Sequence, residues 1–204
     1  VFAIVKQKGG VGKTTTTVNL ATALAAVGKK VLVIDFDPQG NASTGLGISQ
    51  NDRHITSYEL VLDDIELQSS ILKTAVPNLH IIPATIDLSG AEIEMVSLVK
   101  REFRLKNALA SKSNNYDYIL VDCPPSLGLL TINALVAADE VLIPLQCEFY
   151  ALEGLSHLVR TVELVKTNLN PELSIQGIVL TMYDRRNKFT EQIENDVRSY
   201  FGDT

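Results

Sequence analysis

Six short runs in which nearly every position is apolar and many are β-branched punctuate the chain: VFAIV, VLVIDF, LHIIPA, YILVDC, EVLIPL and IQGIVLT. Runs of this length without polar alternation suit strands covered on both faces, so a parallel sheet is expected. Between them, apolar residues return at helical spacing over 14–27, 88–110, 129–137, 151–169 and 189–200. The stretch 41–78 is less regular and is expected to hold one or two short helices, TSYELVLDD and ELQSSIL. Strand and helix in alternation predict an α/β fold, a twisted, mainly parallel sheet with helices on both faces and right-handed crossovers. In such a fold the ligand sits at the carboxyl ends of the strands. No linker or fixed-period repeat interrupts the pattern, so 1–204 reads as one domain.

Composition narrows the classes. With 204 residues, 46% of them hydrophobic, the chain is long enough to bury roughly 70% of its unfolded surface. Cys123 and Cys147 are far apart and fit neither a paired zinc pattern nor a disulfide framework, which points to a reducing interior and a cytoplasmic location. VFAIV is too short for the apolar region of a signal peptide, and no apolar run reaches the roughly 18 residues of a spanning helix. A net charge of −6 excludes a surface coated in basic charge. It leaves room for a local basic patch.

The chemistry is concentrated after the first apolar run, in KGGVGKTT at 8–15. Glycines let the backbone curl around phosphates with successive N–H groups pointing inward, and the helix that follows adds its positive end. Gly9, Gly10, Val11 and Gly12 form that loop. Lys13 neutralises the β- and γ-phosphates, Thr14 is placed to ligate Mg²⁺, and Thr15 donates to a nearer phosphate. A strand before the motif and a helix after it make the match specific, and place the chain among P-loop proteins that bind a nucleoside triphosphate with Mg²⁺.

Two acidic strand ends accompany the loop. ILVDCPP puts Asp122 where a metal-organising carboxylate is needed, with Pro124 and Pro125 stopping the strand. VLVIDFDPQGN ends with Asp35 and Asp37, which alternation places on one side, toward metal and attacking water. As purely structural residues, Asp35 would cap a turn and Asp37, before Pro38, would start one.

With these residues read, the chain resembles the ParA/Soj-type partition ATPases, within the deviant Walker A group that also includes MinD and the nitrogenase iron protein. KGGVGKTT, DFDPQGN, IIPATIDLSGAEIE, LVDCPPSLGLLTINAL, VLIPLQCEFYALEGL and IVLTMYDRRN carry the likeness along the whole chain. The resemblance implies a slow Mg²⁺-dependent ATPase that acts as a positional switch. ATP joins two subunits face to face, and the homodimer binds double-stranded DNA without sequence preference until a ParB-like activator stimulates hydrolysis. It makes Lys8 the signature lysine that reaches the phosphates bound by the other subunit, an otherwise unremarkable strand-end lysine. Gly9 allows the two loops to approach. Asp37 positions or activates the attacking water, and Asp35 and Asp122 organise Mg²⁺ through its water shell. Catalysis thus falls to Lys8, Lys13 and Asp37, and metal organisation to Thr14, Asp35 and Asp122.

Arg185, Arg186 and Lys188 follow a strand end in TMYDRRNKF, and Arg198 adds to them from the next helix. As phosphate contacts they give salt-dependent, sequence-independent affinity, doubled in a dimer; as a bland feature they are a solvated basic loop. Met182, Tyr183 and Asp184 are candidates for the neighbourhood of the base. Relatives continue for a further strand and helix, so the 204 residues are expected to be part of a longer ATPase. Two neighbouring functions share the ATP chemistry: a MinD-like membrane-positioning ATPase, which would need a basic amphipathic helix that this sequence lacks, and a ParA-like ATPase that positions protein cargo. No membrane partner is expected, and the location is cytoplasmic and nucleoid-associated.

Overall fold

The nearly unbroken apolar runs lie at the centre of a sheet in the computed structural model, which describes residues 1–6, 10, 12–63, 65–110, 115–148 and 151–201. Its strands are β1 (Phe2–Ile4), β2 (Val31–Asp35), β3 (Leu72–Lys73), β4 (Leu79–Ile82), β5 (Tyr118–Asp122), β6 (Glu140–Gln146) and β7 (Ser174–Thr181), in spatial order β3-β4-β2-β5-β1-β6-β7. All pairings are parallel except the short β3 against β4 at one edge. The expected α/β class is therefore met. Among the strands, the apolar pattern misses only β3, two residues long and too short to leave a periodic signal.

Eight α-helices lie among the described residues: α1 (Lys13–Ala26), α2 (Asn41–Gly45), α3 (Ser57–Leu62), α4 (Leu88–Glu94), α5 (Arg104–Ala110), α6 (Leu129–Ala137), α7 (Ala151–Asn168) and α8 (Lys188–Phe201). Every residue of β2 is buried. Val31 and Val33 join Ala21 and Ala25 of α1 on one face of the sheet, whereas Leu32 and Ile34 join the larger core on the other. The strand pleat sends neighbours to opposite faces, and both are covered because helices flank the sheet on each side.

The helix expected over 88–110 is broken. It runs as α4, two 3₁₀ turns at Met95–Ser97 and Arg101–Phe103, and then α5. Leu98 turns extended and Lys100 takes φ 54, left-handed for an L residue. Asn133, buried on α6, fills the break by donating to the Arg101 carbonyl at 2.9 Å and accepting from the Leu105 N–H at 3.2 Å, while its amide also donates to the Leu129 carbonyl of its own helix at 3.0 Å. A tertiary partner thus satisfies backbone groups that a continuous helix would have paired internally.

Register sets the site. Asp35 pairs with Asp122 across β2 and β5, and Ile4 pairs with Asp122 across β1 and β5. The carboxyl ends of three central strands therefore meet at one point of the sheet edge. A slip of one residue would turn these side chains to the other face.

Candidate functional site

Gly10 and Gly12 lead from β1 into α1 with φ 78 and 83. Gly12 caps α1 in the left-handed region, where a Cβ is costly. A Cβ there would lie 3.6 Å from the Thr181 methyl at the end of β7, so the constraint is conformational rather than steric. No side chain caps this helix and its first turn carries no acidic residue. Its leading N–H groups and positive dipole end face a cleft of about 540 Å³ lined by Gly10, Gly12, Lys13, Thr14, Thr15 and Asp37, together with Gln39, Asn41, Pro125 and Met182. Lys8, Gly9 and Val11 lie outside the described residues.

Asp122 is the hub beneath this cleft. Fully buried at the end of β5, it accepts from Lys13 Nζ at 2.8 Å and Thr17 Oγ1 at 2.9 Å on one oxygen, and from Thr14 Oγ1 at 2.7 Å on the other. Asp37 Oδ2 stands 3.7 Å from the same Lys13 ammonium, while its Oδ1 accepts the Gln39 N–H at 3.0 Å. Lys13, Thr14, Asp37 and Asp122 are thus brought together, as the strand-end positions predict. Thr17 is an addition. It lies one helical turn after Lys13 on the same stripe, a spacing that carries the signal in hindsight.

Asp35 is set behind them. Its Oδ2 accepts from the Ser43 N–H at 2.7 Å and the Ser43 hydroxyl at 2.6 Å, and its Oδ1 accepts the Asp37 N–H at 3.3 Å. Burial pushes this carboxyl up to about 6, opposed by the Ser43 hydroxyl and reinforced by the nearby Asp122 charge. The loop that carries Asp37 is held at its end by the buried Arg53, which donates to the Gly40 carbonyl at 3.4 Å and also to the carbonyls of Ala84 at 3.0 Å and Ile48 at 2.9 Å and to Thr44 Oγ1 at 2.9 Å. Gly40 must be glycine for this clamp to close, since a Cβ there would come within 2.3 Å of the Arg53 guanidinium. Neither Ser43 nor Arg53 belongs to a legible motif.

The raised Asp35 carboxyl gives stability a defined pH dependence. Unfolded, the group titrates near 3.8; folded, it holds its proton up to about 6. The folded state therefore binds more protons in that window, and this group's contribution to stability falls as pH rises, by about 3 kcal/mol in total. In denaturant unfolding of the nucleotide-free protein, the stability of Asp35→Asn relative to wild type is expected to rise by that order between about pH 4 and about pH 7. A relative stability that stays flat across the range would refute the assignment.

The four basic candidates are placed unevenly. Arg185 and Arg186 sit in the turn after β7, and Lys188 is the first residue of α8. Arg186 forks onto Asp184, at 3.0 and 2.9 Å, and Arg198 donates to Glu194 at 3.0 Å, both at the surface. Exposed pairs of this kind are worth little and exchange readily for phosphate. Of the base-side candidates, Met182 reaches the cleft with φ 53, whereas the Tyr183 hydroxyl donates to Glu194 instead.

A nucleotide and Mg²⁺ fit these residues. The bare N-terminus of α1, its glycine approach and Lys13 suit a polyphosphate, and the Thr14 hydroxyl and Asp122 suit a hard cation. Among the described residues no three His, Cys, Asp or Glu side chains form a metal cage. Mg²⁺ needs none, because it keeps most of its waters and takes phosphate oxygens. Cys123, beside Asp122, is fully buried, and burial pushes its thiol well up, so it packs as core and offers no thiolate. A second hollow of about 380 Å³ between β6 and α7 lies against Leu145, Leu155 and Leu158, together with Lys6 and Glu148. No helix among the described residues is long and apolar enough to cross a membrane.

Comparison with known proteins agrees with this geometry. A family model described as an AAA domain matches residues 1–175. The chromosome partitioning protein ParA of Caulobacter vibrioides is 57% identical over 205 residues, covering 100% of this chain and 77% of its own. The sporulation initiation inhibitor protein Soj of Bacillus subtilis is 56% identical over 203 residues, covering 100% of this chain and 80% of its own. Among solved structures, cobyrinic acid a,c-diamide synthase from Mycobacterium smegmatis, with bound ADP and magnesium, superposes with a TM-score of 0.93 at 38% identity, covering 98% of this chain and 82% of that one.

Proposed function

The chain belongs to the ParA/Soj family of chromosome-partitioning ATPases, and on that footing we propose that it is an ATP-dependent dimerising switch that holds DNA while ATP-bound and lets go after hydrolysis. The observation that carries this reading is the Lys13–Asp122–Thr14 cluster under the uncapped end of α1.

When bound, MgATP supplies the phosphoryl group that is transferred to water and the cation that offsets charge on its phosphates. Lys13 would leave Asp122 to hold the β- and γ-phosphates, and Thr14, freed from Asp122, would offer its hydroxyl oxygen to the cation. Asp122, released from both, orients the water shell of the site, with Asp35 and Ser43 fixing the neighbouring strand end. Asp37 holds the attacking water in line. The water's oxygen bonds to the γ-phosphorus as the bond to the bridging oxygen breaks, and the water's proton passes to a phosphate oxygen, giving ADP and phosphate. Lys8 serves the partner subunit's phosphates, delivering positive charge where it develops. Two subunits joined through ATP lose that joint once the γ-phosphate leaves, so hydrolysis shifts the population to monomers.

Arg185, Arg186, Lys188 and Arg198 provide phosphate contacts that are adequate only when duplicated in the dimer, which reconciles DNA binding with a negative chain. A ParB-like protein accelerates turnover and so releases the DNA. The setting is the nucleoid, in the cytoplasm.

Duplex DNA binding measured with ATP, ADP or no nucleotide, with bound nucleotide quantified in the same samples, tests the proposal. ATP-specific binding that weakens with salt is expected. Arg186→Ala should weaken it for every sequence and lower the slope of log affinity against log salt by about 2, one contact from each subunit. ATP bound without any DNA affinity would refute the DNA-holding switch.

A further inference from the structure

Helix α4 is apolar on two sides. Leu88, Ala91 and Met95, at helical spacing, are fully buried against the core. On the opposite side Ile86 is 64% exposed, Ile93 77% and Val96 59%, with Gly90 between them. Ile86, in the turn that leads into α4, stands at helical spacing from Gly90 and Ile93 within it, and Val96 continues the line into the following 3₁₀ turn. Solvent-facing aliphatic side chains are ordinary when scattered; three on one stripe, with a glycine leaving a trough between them, form an unpartnered face. Beside it a hollow of about 510 Å³ opens, lined by Ile86, Asp87, Gly90 and Glu94 with Tyr58 and Glu59 of α3.

The charge around this face is mainly of one sign. Asp87 and Glu94 are exposed at its border, Glu59 is half-buried behind them, and Tyr58 Oη donates to Glu94 at 2.9 Å. The cations nearby, Lys100 and Arg101, stand past its far end, and Arg101 is turned back onto the Val96 carbonyl and Glu102. Such a border repels nucleic acid and anionic lipid, and a two-fold contact with a second copy would set Asp87 and Glu94 against like charges.

The geometry points to this face of α4 as the docking surface for a basic amphipathic segment of a partner protein, its aliphatic side entering the Ile86–Gly90–Ile93 trough and its cations meeting Asp87 and Glu94. The same segment of chain touches both carboxylate-bearing loops of the nucleotide site. Glu92 Oε1 accepts the Leu130 N–H at 3.2 Å at the start of α6, just after the Asp122 loop. At the other end the Ala84 N–H donates at 3.1 Å to Ser43 Oγ, which itself donates to Asp35. A partner seated here is therefore placed to press on the catalytic loops. That the partner is the activator rests on the function proposed above; that the face binds a basic amphipathic segment does not.

The test titrates the full chain, by fluorescence anisotropy at low salt, with a labelled Leu/Lys peptide of about 15 residues patterned as an amphipathic helix. A scrambled peptide of the same composition and a Leu/Glu counterpart serve as controls. The patterned Leu/Lys peptide is expected to bind wild type. Ile86→Ser with Ile93→Ser, and separately Asp87→Asn with Glu94→Gln, should each weaken it at least about tenfold, and the acidic pair should lose its influence at high salt. The substituted residues are exposed, so unfolding temperature and nucleotide affinity are expected to stay at wild-type values. Equal binding of the scrambled or the Leu/Glu peptide, or indifference to the Ile pair, would overturn the proposal. So would self-association of wild type that the Ile pair abolishes, since the face would then serve a second copy. Absence of nucleotide binding in wild type would remove the ATP-switch reading and leave the peptide result to stand or fall alone.

Discussion

Lys13→Ala is expected to abolish ATP binding, with affinity for a fluorescent nucleotide falling at least about 100-fold. The reason is local charge. Lys13 Nζ stands 2.8 Å from Asp122 and 3.7 Å from Asp37, with Asp35 paired to Asp122 on the adjoining strand. Without the ammonium, the cleft would ask a polyphosphate to enter beside three carboxylates. The same substitution strips a fully buried carboxylate of its cation and leaves it, among the described residues, the hydroxyls of Thr14 and Thr17. Breaking a buried pair from one side costs about 3 to 5 kcal/mol, so the nucleotide-free variant should also unfold at markedly lower denaturant. Unaltered nucleotide affinity in a folded Lys13→Ala protein would remove Lys13 from the phosphate site.

Asp37→Ala is expected to do the opposite to binding and to chemistry. Asp37 lines the cleft but holds no buried network together; its oxygens meet the Gln39 N–H and the edge of the Lys13 ammonium. Its loss removes one negative charge facing the phosphates, so ATP affinity should be equal or higher. Turnover, measured by phosphate release in a single-turnover experiment, should fall about 100-fold or more, the range expected when a group that positions or activates water is lost. In the proposed switch, ATP should then hold the dimer and its DNA affinity correspondingly longer. Equal hydrolysis rates in wild type and Asp37→Ala would refute the role assigned to this carboxylate.

Both expectations stand on residues legible without a structure, and the reason is periodicity. Buried parallel strands need unbroken apolar runs, so Asp35 and Asp122 announce themselves as charges at the ends of such runs. A phosphate loop needs glycine, lysine and hydroxyl at fixed offsets between strand and helix, so Lys13 and Thr14 are fixed by the offsets themselves. The deviant lysine and the motifs beyond it carry the family likeness, and the comparisons agree with that likeness over the full chain.

Other features left no such trace. The helix expected over 88–110 breaks because Asn133, some thirty residues downstream, supplies hydrogen bonds to its interrupted backbone. Arg53 reads as a solitary cation in an irregular stretch, yet it closes the loop that carries Asp37. Asp35 and Asp37 look alike two residues apart; Ser43 claims one, and the other faces the cleft. Local sequence, through the repeat of strand and helix and the spacing of the phosphate loop, determined the fold class and the chemistry near Lys13. The tertiary structure alone decided which carboxylate is buried at about 6, what clamps the catalytic loop and which face of α4 is left open. Those outcomes depend on side chains distant in sequence meeting across the sheet, and on the water that their meeting excludes.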